Sequence, residues 1–164
     1  MNGQKPRARD LAFGTASGFF AFGFGSGLSP FAPGTMGTVA AIPLAVALKL
    51  LPLPLFWPLL LVLFLLGIHL CGVTSRRLGQ HDPGGIVWDE MVAYWLTVAF
   101  VPLHWAWLLA AFALFRVFDI FKPWPIRRVE KRFGGGMGIM LDDIVAALYA
   151  MALLQLASVL LQSV

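Results

Sequence analysis

Five apolar blocks, separated by short breaks, constrain the fold of this chain more than any other feature. They run over residues 36–51, 55–73, 90–101, 105–121 and 144–161. Pro-Leu-Pro joins the first two blocks, and Pro-Leu-His joins the third and fourth. Each of these breaks is too short to hold a domain, so we expect two tight helical hairpins followed by a fifth helix.

The composition is typical of a membrane protein. Hydrophobic residues make up 59% of the 164 residues and charged residues only 12%, against about 25% charged residues in soluble domains. The length allows one domain, residues 1–164, with about five helices of roughly 20 residues each. We therefore expect an all-α fold, a polytopic membrane bundle. Its blocks of 12 and 16 residues are short for full spans, so some helices would tilt or be partly re-entrant.

Basic residues flank the blocks on one side, which predicts the orientation of the bundle. They stand before the first block, after the second and after the fourth: Lys5, Arg7, Arg9, Arg76, Arg77, Lys122, Arg127, Arg128, Lys131 and Arg132. The positive-inside rule then puts the N-terminus in the cytoplasm and both proline-containing turns outside. Lys49 is the exception, near an outer helix end from which its long side chain can reach the interface. The N-terminus is basic and then apolar, but it has no A-x-A-like cleavage site, so we expect it to be retained.

This orientation places five acidic residues at the cytoplasmic ends of their helices. Two begin the third block, one ends the fourth and two begin the fifth: Asp89, Glu90, Asp119, Asp142 and Asp143. Carboxylates crowded at low dielectric repel one another unless a cation holds them. Hard oxygen ligands that leave room for water and phosphate suit Mg²⁺ better than zinc or copper. The alternative for an aspartate near a helix start is a helix cap that interacts with the helix dipole.

Two basic residues lie among these carboxylates. Arg116, Asp119 and Lys122 are spaced i, i+3 and i+6, which predicts that they share one helical face. Asp119 would then bind the metal, while Arg116 and Lys122 contact phosphate oxygens. A local ladder of ion pairs that neutralises charge near lipid is the alternative.

The glycine-rich segment from Gly23 to Thr38 opens the first block on the same side of the bundle. We expect it to be re-entrant or interfacial, and its glycines, Gly34 among them, allow backbone N–H groups to approach an anion. Ser29 and Thr35 add hydroxyl groups. The segment lacks the G-K-[S/T] sequence of a nucleotide-binding loop. Close packing of small residues between helices is the competing explanation.

Several other functions are disfavoured by the sequence. The formal charge of +4 is modest and indicates a membrane face without a nucleic-acid partner. The single cysteine, Cys71, excludes an internal disulfide and a multi-cysteine zinc site. His69, His81 and His104 are scattered without metal-ligand spacing. A small membrane subunit or cation carrier without catalytic activity stays open as the alternative to an enzyme.

Four motifs in this order resemble bacterial phosphatidylglycerophosphatase A. They are GFGSGLSPFAPGTMGT, IVWDE, FRVFDIFKPWPIR and GGMGIMLDDIVA, and they span residues 23–146. The resemblance implies a Mg²⁺-dependent phosphatase of the bacterial inner membrane. Such an enzyme would convert phosphatidylglycerophosphate, its lipid substrate, to phosphatidylglycerol and inorganic phosphate.

Carried over position by position, the acidic residues of that family fall on the five carboxylates named above, and its Lys-Pro-Trp-Pro segment falls on Lys122 to Pro125. We expect metal-assisted attack by water, with Asp142 or Asp143 as general base. Lys122 and Arg116 would stabilise charge on the phosphoryl oxygens. A covalent aspartyl phosphate on Asp119 remains the alternative mechanism.

Overall fold

The computed structural model describes residues 6–162 and contains no strand in that range. Two short helices, α1 (Ala8–Gly14) and α2 (Ala16–Ala21), precede a 3₁₀ segment (Gly23–Leu28). The longer elements and one short connecting helix follow in the order α3 (Pro33–Lys49), α4 (Leu53–Leu78), α5 (Trp88–Thr97), α6 (Trp105–Phe121), α7 (Ile126–Arg132) and α8 (Gly135–Gln162). The predicted all-α fold is confirmed. Lys5, which entered the predicted orientation, lies outside the described residues.

The five apolar blocks coincide largely with α3, α4, α5, α6 and α8. Among the described helices, α4 and α8 are long and apolar enough to cross a membrane. By contrast, α5 has 10 residues, which span about 15 Å, or half of the roughly 30 Å hydrocarbon layer. The third block therefore forms a helix inside the bundle that is too short to be a full span.

The short helix α5 forms the centre of the core. Met91, Val92, Ala93 and Tyr94 are fully buried, and α3, α4, α6 and α8 all pack around them. Because its neighbours surround it, α5 is buried on nearly every side. The polar residues of its first turn are therefore carried into the interior of the protein.

Three aromatic side chains of α5 attach it to three different helices. Each donates a hydrogen bond to a backbone carbonyl: Trp88 Nε1 to Leu63 O on α4 at 3.2 Å, Tyr94 Oη to Leu108 O on α6 at 3.0 Å, and Trp95 Nε1 to Ala41 O on α3 at 3.0 Å. These bonds satisfy the polar atoms of side chains that contribute large apolar areas to the core. They fix both the rotation and the height of α5 within the bundle.

Glycines bring α4 and the start of α8 into close contact. A Cβ atom at Gly136 would overlap the carbonyl of Ile68 and would lie 2.7 Å from the amide nitrogen of Gly72. At Gly67 it would lie 2.6 Å from Met140 Sδ. Small residues allow helix backbones to approach in this way, and the contact places the first turns of α8 beside the start of α5.

Candidate active site

The carboxylate cluster consists of Asp89, Glu90, Asp119, Asp142 and Asp143, and it lies where three helices meet. Asp89 and Glu90 come from the first turn of α5, Asp119 from the last turn of α6, and the other two from α8. The charge of Asp143 interacts with those of all four others. The structure thus brings the five acidic residues together at one end of the bundle, while their roles stay a prediction.

Arg116 joins two carboxylates of the cluster. Its Nη1 lies 3.2 Å from Glu90 Oε1 and 2.7 Å from Asp119 Oδ2. The second contact is the i, i+3 pair on α6 that the sequence predicts. Arg116 Nε is buried without a hydrogen-bond partner among the described residues, so the guanidinium keeps one donor for a further acceptor.

The prediction that Lys122 shares a helical face with Arg116 and Asp119 is wrong. The helix α6 ends at Phe121, and Lys122 is its C-cap in the left-handed conformation, with φ 42° and ψ 63°. Its backbone N–H donates to Phe118 O at 2.8 Å. Leaving the helix axis at this residue turns the side chain toward α8, where Nζ lies 2.6 Å from Asp142 Oδ2.

A second correction concerns Asp142 and Asp143, which the sequence places at a helix start. The helix α8 begins at Gly135, so both aspartates lie about two turns inside it. A capping role needs a position before the first turn and is therefore excluded. Each residue is 3% exposed, which makes them buried acids of a helix interior.

Gly34 lies against the cluster at the start of α3. A Cβ atom there would overlap Glu90 Oε1 and would lie 3.0 Å from Arg116 Nη1. Only a glycine lets the first turn of α3 approach this ion pair so closely. Gly34 therefore lies beside the predicted site. Its neighbour there is a carboxylate, and a contact of Gly34 with phosphate stays a prediction.

The two predicted hydroxyl groups are not joined to the cluster by any contact in the described part of the chain. Ser29 Oγ donates to Phe31 O at 2.8 Å within a local turn, and Ser29 lines a different cavity, together with Arg9. Thr35 follows Gly34 on α3 and is partly buried. A contact of either hydroxyl with phosphate remains a prediction.

Burial makes the start of α5 unfavourable for negative charge. Removal from water, followed by repulsion from Glu90, raises the pKa of Asp89 well above its usual range. Burial and the charge of Asp119 raise the pKa of Glu90 to about 8, although Arg116 opposes the shift. Both carboxylates therefore need a proton or a cation beside them.

Asp82 also acts on the cluster, and sequence reasoning missed it. This exposed residue lies in the loop before α5, and its charge contributes to the raised pKa values of Asp89 and Glu90. The sequence analysis gave it no role in the site. Its only signal was its distance of seven residues from Asp89 along the same loop.

The donor set fits a hard cation. The carboxylate oxygens that are buried without a hydrogen bond in the described structure include Asp89 Oδ1, Glu90 Oε2 and Asp143 Oδ2. Buried polar atoms are normally paired, and oxygen-only ligands suit Mg²⁺. As the side chains stand, no three acidic, histidine or cysteine residues within 6–162 converge on one metal position. The chemistry of the donors fits Mg²⁺. In their present arrangement, however, Glu90 and Asp119 pair with Arg116, and Asp142 pairs with Lys122.

Comparison with known proteins identifies the family. The family model for phosphatidylglycerophosphatase A matches residues 19–158. Phosphatidylglycerophosphatase A of Escherichia coli (strain K12) is 46% identical over 135 residues, which cover 82% of this chain and 78% of that protein. The Haemophilus influenzae protein of the same name is 51% identical over 132 residues, or 79% of this chain and 81% of that protein.

A third relative carries a different name. A Bacteroides thetaiotaomicron protein with the provisional name phosphatidylinositol-3-phosphatase is 46% identical over 143 residues, covering 82% of this chain and 89% of its own length. No solved structure matches the chain. The family match includes every residue of the carboxylate cluster as well as Arg116 and Lys122, and the resemblance seen in the four motifs is confirmed. The chain belongs to the phosphatidylglycerophosphatase A family of phosphatases.

Proposed function

We propose that the chain hydrolyses the terminal phosphate of phosphatidylglycerophosphate, giving phosphatidylglycerol and inorganic phosphate. The two relatives named for this activity support the substrate. The observation that carries the chemistry is the set of buried, unbonded carboxylate oxygens on Asp89, Glu90 and Asp143 beside Arg116 and Lys122. Membership of a phosphatase family argues against the alternative of a subunit or carrier without catalytic activity.

Mg²⁺ is the cofactor we propose, held by oxygens of the carboxylate cluster. The unbonded oxygens of Asp89 and Glu90 would be the first ligands, and Asp119, Asp142 and Asp143 complete the candidate set. When bound, the ion would polarise the phosphoryl group and lower the pKa of a water molecule. Its charge would also offset the mutual repulsion of these buried carboxylates.

Arg116 and Lys122 would hold the phosphoryl group. The guanidinium offers its unbonded Nε donor, and the Lys122 ammonium, which contacts Asp142, offers a compact positive charge. Each cation would bind equatorial phosphate oxygens while keeping its contacts with the carboxylates. They would stabilise the charge that develops on those oxygens during the reaction.

We favour Asp143 over Asp142 as the general base. Lys122 lies 2.6 Å from Asp142 Oδ2 and stabilises the negative charge of Asp142, which makes Asp142 a weaker base, whereas Asp143 Oδ2 has no hydrogen bond among the described residues. Asp143 would take a proton from water as the water oxygen attacks phosphorus. The bond between phosphorus and the glycerol oxygen then breaks, and the proton returns to that oxygen. Attack by Asp119 is the alternative mechanism, and trapping of a phosphorylated enzyme by acid quenching would reveal it.

We place the site at the cytoplasmic face of the inner membrane. Exposed arginines at the end of α4 and in α7, namely Arg76, Arg77, Arg128 and Arg132, lie at the same end of the bundle as the cluster. The positive-inside rule assigns such an end to the cytoplasm. This position would leave the acyl chains of the substrate in lipid and its phosphate in water.

Phosphate release from phosphatidylglycerophosphate by the purified protein in detergent micelles tests this proposal. We expect release that requires Mg²⁺, stops with a chelator and falls about 100-fold in Lys122→Ala, because a charged donor to the phosphoryl group is lost. Lys122→Arg keeps the charge and should retain more activity. Release that continues in chelator would contradict the metal, and an absence of release would contradict the activity.

A further inference from the structure

A cavity of about 350 Å³ borders the carboxylate cluster on its basic side. Its lining residues are Phe121, Lys122, Pro123, Trp124 and Arg128. The volume lies in the range of about 300–1,000 Å³ typical of small-molecule sites. Lys122 belongs to both sites, because it lines the cavity while its Nζ contacts Asp142 in the cluster.

The wall of this cavity is held against α8 at two points. Tyr149 Oη donates to Trp124 O at 3.1 Å, and the Tyr149 ring stacks on Phe118 with centroids 5.4 Å apart. The second point is the contact of Lys122 with Asp142, two turns earlier on α8. A wall fixed in this way loses little conformational freedom when a ligand binds.

The charge of the cavity suits an anion. The described lining residues include two cations and no carboxylate. The Arg128 guanidinium lies over the Trp124 ring, with Cζ 5.8 Å from the ring centroid. A stacked guanidinium keeps its N–H edge available for bidentate contact with a phosphate.

We propose that this cavity binds the phosphodiester of the lipid substrate, with Arg128 as a specificity residue. The inference rests on the proposed function, in which the terminal monoester lies at the carboxylate cluster. Phosphatidylglycerophosphate carries a monoester and a diester joined by one glycerol, and Lys122 lies between the two sites that would receive them. A lipid with only one phosphate cannot occupy both sites, so the cavity would select lipids with two.

Product inhibition separates the two sites, because phosphatidylglycerol keeps the diester and lacks the monoester, whereas inorganic phosphate resembles only the monoester. In Arg128→Gln we expect the KM for phosphatidylglycerophosphate and the inhibition constant of phosphatidylglycerol to rise about 5-fold, as for loss of a partly exposed charged contact. Inhibition by inorganic phosphate and kcat should be unchanged. Arg128→Lys should recover part of the loss, since it retains the charge.

Arg132→Gln is the matched control. Arg132 is exposed, lies one turn further along α7 and does not line the cavity, so it measures the general attraction of a basic surface for anionic lipid. Equal effects of the two glutamine variants would overturn the proposal, as would unchanged inhibition by phosphatidylglycerol in Arg128→Gln. If the unaltered protein releases no phosphate at all, the proposed function itself is contradicted.

Discussion

The two ends of α5 both carry charge within the bundle, and they treat it differently. At the C-terminal end, Lys49 Nζ donates to the carbonyl oxygens of Val98 and Ala99 at 2.8 and 3.3 Å. At the N-terminal end, Asp89 and Glu90 each keep a buried carboxylate oxygen without a hydrogen bond in the described structure. At both ends the charge has the sign that the helix dipole favours. However, Lys49 is hydrogen-bonded to backbone carbonyls, whereas Asp89 and Glu90 each have an oxygen without a donor in the described part of the chain.

This difference separates a structural charge from a functional one. A cation hydrogen-bonded to the end of a helix stabilises the fold and needs nothing more. Unbonded buried carboxylates are unfavourable in the folded protein, so their presence indicates a role that the fold alone does not explain. Substitutions at the N-terminal end of α5 should therefore lower activity without lowering stability. Substitutions at the C-terminal end should lower stability without lowering activity.

The largest effect should come from Asp143→Asn, because Asp143 of α8 belongs to the carboxylate cluster at the N-terminal end of α5. We expect kcat for phosphate release to fall about 10²- to 10⁴-fold, the range for loss of a general acid or base. The apparent Tm in detergent should stay the same or rise, because a buried, unbonded negative charge is removed while the side-chain shape is kept.

Asp10→Asn is the matched control for this variant. Asp10 lies exposed in α1, and its loss should leave both kcat and Tm near those of the unaltered protein. A clear fall in Tm for Asp143→Asn would mean that the carboxylate supports the fold, and it would remove the distinction between the two ends of α5.

A smaller effect is expected from Gly34→Ala. The added Cβ would overlap Glu90 Oε1 and crowd Arg116 Nη1, so it should displace the ion pair at the start of α5. Misplacement of catalytic groups on this scale lowers activity about 10- to 100-fold, which steady-state kinetics would measure. Gly14→Ala is the control, since a Cβ at Gly14 meets no atom within 4 Å. Full activity in Gly34→Ala would show that the reaction does not depend on the position of Glu90.

Hydropathy predicted the main helices but not all of their boundaries. The fourth block, 105–121, matches α6 (Trp105–Phe121) residue for residue. However, α4 continues past its block to Leu78, and α8 begins nine residues before residue 144. Glycines have low helix propensity, so the sequence predicts a loop at the Gly-rich start of α8. The structure shows a helix there, with Gly136 packed against α4. Tertiary packing stabilises helix there, which no local pattern reveals.

The composition of the site was easier to predict than its geometry. Charged residues are rare in this chain, so the five carboxylates, Arg116 and Lys122 stand out, and helix order places them at one end. The turn of the backbone at Lys122 depends on a left-handed φ of 42°, a conformation unusual for lysine that the sequence does not signal. The contribution of Asp82 arises from a loop, and its distance from the cluster is fixed only by tertiary structure.

The smallest effect, and the one that tests the structural end of α5, is expected from Lys49→Met. The substitution keeps the length of the apolar stem and removes the donors to Val98 and Ala99. Two carbonyls at a helix end lose a charged partner, so unfolding should become easier by about 1 kcal/mol, seen as a lower apparent Tm. Lys49→Arg, which retains a donor, should restore most of this. The kcat should not change, because Lys49 contacts the end of α5 opposite the cluster. A fall in kcat with unchanged Tm would reverse the assignment of the two ends and make Lys49 part of the catalytic apparatus.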